Sequence, residues 1–286
     1  MDKKEKPIGV FDSGVGGLTV LKEIIKVLPD ENTIYLGDTA RVPYGIRSPH
    51  TVTRYSFENT SFLFSKDIKL LVVACNTASS ISLAAINKRI PIPVVGVIEP
   101  GAEAAVRMTS NKKVGVIGTE ATVKSHAYLK AIKNIDPHID VYSLSCPLFV
   151  PLVEEGWTEG EIANLVAKRY LEGFEETGID TLVLGCTHYP LLKKVISEIL
   201  GGKVKLIDSA IETAREVRTI LMKLGLKRVQ KNASIREFYV TDSPERFLRV
   251  GEHFLGEKIG HIRLVEMPPV EDVSLAGERR ARSEDE

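Results

Sequence analysis

The sequence predicts an α/β fold made of two related halves. Three observations carry this. Short, unbroken apolar runs recur along the chain. Amphipathic helical stretches separate them. Segments of the first half return, in order, about 110 residues later.

The first apolar run covers 8–11 and ends at Asp12-Ser13. A helical stripe of Leu18, Leu21, Ile25 and Leu28 follows, and Pro29 closes it. Runs at 33–36, 70–73 and 94–98 complete the first half, and runs at 113–117, 141–144, 181–184 and 204–207 make the second. Continuous rather than alternating, they suit strands buried on both faces of a parallel sheet. Residues 161–175 form a further helix, with Ile162, Leu165, Val166 and Tyr170 on one stripe. Alternation of strand and helix throughout argues for an α/β class. Within the repeat, Ile8-Gly-Val-Phe-Asp-Ser13 matches Val114-Gly-Val-Ile-Gly-Thr119, and Leu71-Val-Val-Ala-Cys-Asn-Thr77 matches Leu182-Val-Leu-Gly-Cys-Thr-His188. Val97-Ile-Glu99 likewise matches Leu206-Ile-Asp208. Buried strands resemble one another in composition, but a cysteine and a polar residue at corresponding strand ends point to duplication.

The totals narrow the function classes. The chain has 286 residues, 43% hydrophobic and 27% charged, the make-up of a soluble globular protein. Lys plus Arg (38) equals Asp plus Glu (38), so nothing favours a nucleic-acid partner, which calls for a basic surface. The charged start runs straight into a strand, unlike a secretory leader, and no apolar run reaches a membrane span. The expected location is the cytoplasm. There the three cysteines are free thiols rather than a disulfide framework. Past residue 264 the apolar periodicity stops, and 269–286 is expected to be a polar tail.

In open α/β sheets, ligands gather beyond the carboxyl ends of the strands. Asp12-Ser13, Cys75-Asn76-Thr77, Thr119 and Cys186-Thr187-His188 all lie at such ends, and a cluster from Asp38 to Tyr44-Gly45 follows the second run. Cys75 precedes a helix start, whose dipole lowers a thiol pKa. Either cysteine alone reads as a small buried hydrophobe. A symmetric pair reads differently, because facing halves put two thiols across one cleft. Metal binding calls for more ligands than Cys186 and His188 supply, and the C-x-x-C of a redox pair is absent. Racemisation, by contrast, needs two bases on opposite faces of one carbon. Asp12 and His188 are placed to exchange protons with the two thiols, although Asp12 also suits a helix N-cap and His188 a hydrogen-bonded loop. Ser13, Asn76, Thr77 and Thr187 offer hydroxyls and amides to an amino acid, and Gly14, Gly16 and Gly17 offer backbone N–H groups to an anion. A two-lobed binding protein with inert thiols is the alternative of another class.

These residues carry a resemblance. Phe11-Asp-Ser-Gly-Val-Gly-Gly-Leu-Thr19, Gly37-Asp-Thr-Ala-Arg-Val-Pro-Tyr-Gly45, Ala74-Cys-Asn-Thr-Ala-Ser79 and Gly185-Cys-Thr-His-Tyr-Pro-Leu-Leu192 resemble the signatures of glutamate racemases, in order, over residues 7–265. The resemblance implies two pseudo-twofold-related α/β domains with mainly parallel sheets and a site in the cleft between them. By it, 1–98 plus 208–268 form the first domain and 99–207 the second, with hinges near 97–101 and 207–210. Cys75 and Cys186 match the acid/base thiols, and Asp12, His188 and Glu154 match supporting residues. Ser13, Tyr44-Gly45, Asn76-Thr77 and Thr187-His188 match substrate contacts, and Thr119 joins them as a strand-end hydroxyl. The implied reaction interconverts L- and D-glutamate with neither cofactor nor metal, supplying peptidoglycan synthesis, and a homodimer is expected. Aspartate and hydantoin racemases and maleate isomerase are the nearest alternatives within the superfamily. Cys146 matches no catalytic position and reads as structural.

Overall fold

The computed structural model describes residues 2–229 and 233–267; the expected tail lies outside them. Ten strands occur among the described residues: β1 (Ile8–Asp12), β2 (Thr33–Gly37), β3 (Leu70–Val73), β4 (Val94–Gly96), β5 (Lys113–Gly118), β6 (Asp140–Ser145), β7 (Thr181–Gly185), β8 (Lys205–Asp208), β9 (Arg236–Val240) and β10 (Ile262–Leu264). The helices between them are α1 (Leu18–Val27), α2 (Pro49–Ser65), α3 (Asn76–Asn87), α4 (Ile98–Met108), α5 (Glu120–Lys124), α6 (Ala127–Ile135), α7 (Phe149–Glu154), α8 (Glu161–Leu171), α9 (Lys193–Ile199), α10 (Ser209–Lys223) and α11 (Pro244–Leu255).

The strands form two sheets, with orders β10-β9-β2-β1-β3-β4 and β6-β5-β7-β8. Every pairing is parallel. The inner order β2-β1-β3-β4 recurs as β6-β5-β7-β8, so the duplication read in the sequence is a duplication of topology. Each Cys-polar segment follows the equivalent strand, β3 in the larger sheet and β7 in the smaller.

Local chemistry fixes the helix starts. Ser48 caps α2 ahead of Pro49, Thr119 caps α5, and Asp208 caps α10 by accepting from the Ala210 N–H at 2.9 Å. Helix α1 buries Leu18, Leu21 and Ile24, and packs against α10 and α11. Helix α4 packs against α6 and α10. One apolar core runs from Val10 and Val72 of the larger sheet, past Leu18 and Ala105, to Val116 and Val183 of the smaller. A second core, with Phe11, Leu36, Val52 and Phe57, fills the other face of the larger sheet beneath α2 and α3. At the amino ends of the strands the Lys69–Glu31 ion pair is almost fully buried, with Lys69 Nζ also donating to the Leu226 carbonyl at 3.0 Å and Glu31 Oε1 accepting from the Arg228 N–H at 2.7 Å.

Three expectations change. The run at 94–98 is strand only to Gly96; the Val97 N–H turns aside to Ser79 Oγ at 3.3 Å and α4 begins at Ile98. Strand β6 is not buried on both faces, because it sits at a sheet edge with Asp140 exposed. Strands β9 and β10 were not anticipated, since Arg236-Glu237 opens one and Arg263 centres the other, interrupting the apolar pattern. No described helix is long and apolar enough to cross a membrane.

Candidate active site

Strands β1, β3, β5 and β7 deliver their ends to one place. A cavity of about 130 Å³ is lined there by Cys75 and Cys186, by Ser13, Tyr44, Gly45, Asn76 and Thr77 from the larger sheet's side, and by Thr119, Thr187 and His188 from the smaller sheet's. Asp12 and Glu154 do not line it. Asp12 ends β1 fully buried, and Glu154 ends α7 behind His188. The structure thus brings ten of the expected residues to the cavity wall and puts the two carboxylates one layer back.

Cys75 is the N-cap of α3, where its Sγ accepts from the Ala78 N–H at 3.5 Å and lies 3.7 Å from Ser13 Oγ. The expected lowering of its pKa does not hold. Burial, with the nearby Asp12 charge, outweighs those hydrogen bonds and pushes the thiol up to about 12. Across the cavity, Cys186 Sγ is 3.8 Å from His188 Nδ1, and His188 Nε2 is 3.2 Å from Glu154 Oε1. Burial works against an imidazolium here. The hydrogen bonds and charges of Cys186 and Glu154 overcome it and push His188 up to about 10, which favours the imidazolium. Glu154 is also penalised by burial, yet His188 and Arg246 hold it below the usual carboxylate range. Asp12 goes the other way: burial raises its pKa despite His188 and the Gly14 N–H, which donates to Oδ2 at 2.9 Å. That bond makes a tight turn and leaves α1, capped by Gly17, to start without Asp12, so the N-cap alternative fails.

Two buried polar atoms beside the cavity have no hydrogen-bond partner among the described residues: Asp12 Oδ1 and Asn76 Nδ2. Asn76 is held through its other atom, Oδ1, which accepts from the Tyr128 hydroxyl at 2.7 Å. Thr77 Oγ1 and Thr119 Oγ1 are 2.9 Å apart, and Thr122 Oγ1 sits 3.3 Å and 3.0 Å from them. The Tyr44 hydroxyl bonds to Asp38 and accepts from Asn59 Nδ2 at 3.1 Å, and Arg41 Nε grips both Asp38 oxygens at 2.9 and 2.8 Å. The two sides touch closely. The Thr19 hydroxyl donates to the Thr187 carbonyl at 3.0 Å, and a Cβ at Gly16 would sit 2.1 Å from Thr187 Oγ1 and 2.6 Å from His188 Nδ1.

Sequence reasoning assigned no role to Thr122, Tyr128, Asn59 or Arg246. Tyr128 acts on a residue 52 positions away, and no spacing pattern reports such a pairing. Thr122 had a signal in its place at Thr119 plus three, the position facing an N-cap hydroxyl on the first helical turn. Cys146 is buried, with Sγ 4.0 Å from the Leu144 carbonyl. Among the described residues no group of three or more His, Cys, Asp or Glu side chains is arranged to hold a metal ion.

Comparison with known proteins adds to this geometry. The sequence profile described as Asp/Glu/Hydantoin racemase matches residues 8–217. A glutamate racemase of Geobacter metallireducens is 61% identical over 262 residues, 92% of this chain and 97% of that one. The crystal structure of glutamate racemase from Francisella tularensis in complex with D-glutamate superposes with a TM-score of 0.88 at 41% identity, covering 92% of this chain and 98% of that one. Glutamate racemase isoform RacE1 of Bacillus anthracis gives a TM-score of 0.89 at 43% identity, covering 94% and 100%. An aspartate racemase homologue of Pyrococcus horikoshii, 18% identical with a TM-score of 0.55, shares the fold.

Proposed function

The chain belongs to the Asp/Glu/Hydantoin racemase family, and on that premise we propose that it interconverts L- and D-glutamate by passing one proton between Cys75 and Cys186. The observation that carries this is the single cavity reached by two thiols from the ends of equivalent strands. The Francisella relative, solved with D-glutamate, supports the choice of substrate.

An amino-acid α-hydrogen is far less acidic than a thiol, so the site has to stabilise a carbanion-like transition state. We assign the starting thiol to Cys75, which burial keeps protonated, and the starting thiolate to Cys186, whose Sγ stands 3.8 Å from His188 Nδ1. That thiolate removes the α-proton from one face and Cys75 delivers its own to the other. The step leaves Cys186 as the thiol and Cys75 as the thiolate, which is the state from which the opposite enantiomer reacts; for another turn in the same direction Cys75 regains a proton by way of Asp12 and Cys186 loses one by way of His188. The free Asn76 N–H₂, the Ser13 and Thr187 hydroxyls and the N–H groups opening α3 offer donors to the substrate carboxylates. Tyr44-Gly45 and the Thr77–Thr119–Thr122 hydroxyls close the far end. Exclusion of water between the lobes strengthens each of these bonds and holds the Cα–H in line with both sulfurs.

The domain division at 98/99 and 207/208, with hinges near 97–101 and 207–210, belongs to this reading. So do the supply of D-glutamate to peptidoglycan in the cytoplasm and the pairing of two copies, which sedimentation tests directly. For the reaction, purified protein is incubated with L-glutamate in D₂O without added cofactor, following circular dichroism and loss of the α-proton signal. Decay of the optical signal to zero with deuterium at Cα is expected, and so is failure of both Cys75→Ser and Cys186→Ser. Optically stable, undeuterated glutamate with the unaltered protein would sink the proposal. Because the two enantiomers are equally stable, kcat/KM has to be equal in both directions for every variant; only kcat and KM taken separately can differ.

A further inference from the structure

The smaller lobe's acid–base residue is held by a helix of the other lobe. Helix α11 packs on α1 beside the larger sheet, whereas Glu154 and His188 stand on α7 and after β7. Arg246 of α11 reaches across: its Nη2 is 3.0 Å from Glu154 Oε2. The other oxygen of that carboxylate, Oε1, is 3.2 Å from His188 Nε2. Glu154 is therefore gripped at both oxygens, by a cation from one lobe and an imidazole from the other. Two turns further along α11, the Phe254 ring meets the His188 ring edge to face, with centroids 5.2 Å apart and planes at 82°.

We propose that α11 positions His188 for proton exchange with Cys186, and that Arg246, acting through Glu154, is the positioning residue. This rests on the two-thiol reading above. The Arg246 side chain is 56% exposed and borders a cavity of about 140 Å³, lined also by Gly14, Thr39 and Asp242. Its partners lie across the cleft, so separation of the lobes removes the cation from Glu154 and the Phe254 edge from the ring together. Closure over substrate thereby sets the base and confines the proton at the same moment. The charged and titratable groups acting on this pair are Cys186, Asp12 and Arg246, with Asp242 across the small cavity.

The test compares the pH profiles of kcat/KM for the unaltered protein, Arg246→Met, Arg246→Lys, Glu154→Gln and the Glu154→Gln/Arg246→Met double variant. Cys75→Ser and Cys186→Ser run alongside. Arg246→Met is expected to lower kcat about two- to fivefold, the range of one part-exposed ion pair. It should also move the acid limb to higher pH, because Glu154 loses a cation that favours its ionised form. Lysine should restore much of both effects. In the Glu154→Gln background Arg246→Met should change nothing further, since its only route has gone. An unmoved acid limb, or full additivity of the two changes, overturns the inference. If the cysteine variants still racemise, the underlying two-thiol reading fails whatever Arg246 does.

Discussion

Replacing Gly16 by alanine should cost catalysis far more than stability. The added Cβ would lie 2.1 Å from Thr187 Oγ1 and 2.6 Å from His188 Nδ1 and Cε1, short of ordinary 3.4 Å contact by 1.3 and 0.8 Å. The Thr187 hydroxyl turns away by rotation about χ1. The imidazole has no such freedom. Phe254 packs on it, Glu154 holds Nε2, and the Thr187 backbone before it is tied to Thr19. The smaller lobe has to back away by most of an ångström, carrying Cys186 with it. Misplacement on that scale costs roughly hundredfold in rate, and overpacking of this kind about 1–3 kcal/mol in stability. Circular dichroism with each enantiomer gives kcat and KM, and a denaturant titration gives the stability. Gly16 does not have a positive φ, so alanine adds no backbone strain to confuse the result. Racemisation within threefold of the unaltered protein would refute the claim that contact between the lobes at Gly16 sets the thiol geometry.

Other outcomes follow from the charges. The folded pKa of His188, about 10, lies above its ordinary 6.5, so its contribution to stability is fully present below pH 6.5 and lost as pH rises through about 10. Denaturant midpoints should therefore fall toward alkaline pH, and less so in His188→Asn. Burial makes ionised Asp12 a destabilising group above its ordinary pKa, so Asp12→Asn should melt no lower than the unaltered protein at pH 7.5 while losing most activity. A lower melting temperature would count against that assignment. At the opposite end of the sheet, Lys69→Met should cost about 3–5 kcal/mol by stranding buried Glu31, and Lys69→Met/Glu31→Leu should recover much of it. Denaturation curves of the two variants decide.

How much of this was legible in the sequence depended on whether the signal was local. Strands such as β3 and β7, buried on every side, announce themselves as unbroken apolar runs. Strand β9 buries only Phe238, Tyr239 and Val240, and its charged opening hid it. The cavity-lining residues were readable because topology puts strand ends together, and the repeat named which ends. The groups behind them were not. Asp38 gripping Tyr44, Tyr128 holding Asn76 and Arg246 reaching Glu154 are contacts between segments or lobes, set by packing alone. The direction of the Cys75 shift was misjudged for the same reason: the helix start is local, whereas burial is a property of the closed molecule.

The repeated strand order has a geometric consequence. Proteins of L-residues can superpose their halves by rotation but never by reflection, while the two enantiomers of a substrate are reflections of each other. A perfectly duplicated cleft would therefore present identical furniture to an ammonium and a carboxylate that need opposite partners. The sequence breaks the equivalence where that conflict arises. Asp12 has Gly118 as its counterpart, and His188 has Thr77. Duplication supplied a pair of sulfurs. Under the proposed reaction, divergence at the neighbouring positions fits an achiral task, proton exchange at one carbon, to a scaffold that is handed throughout.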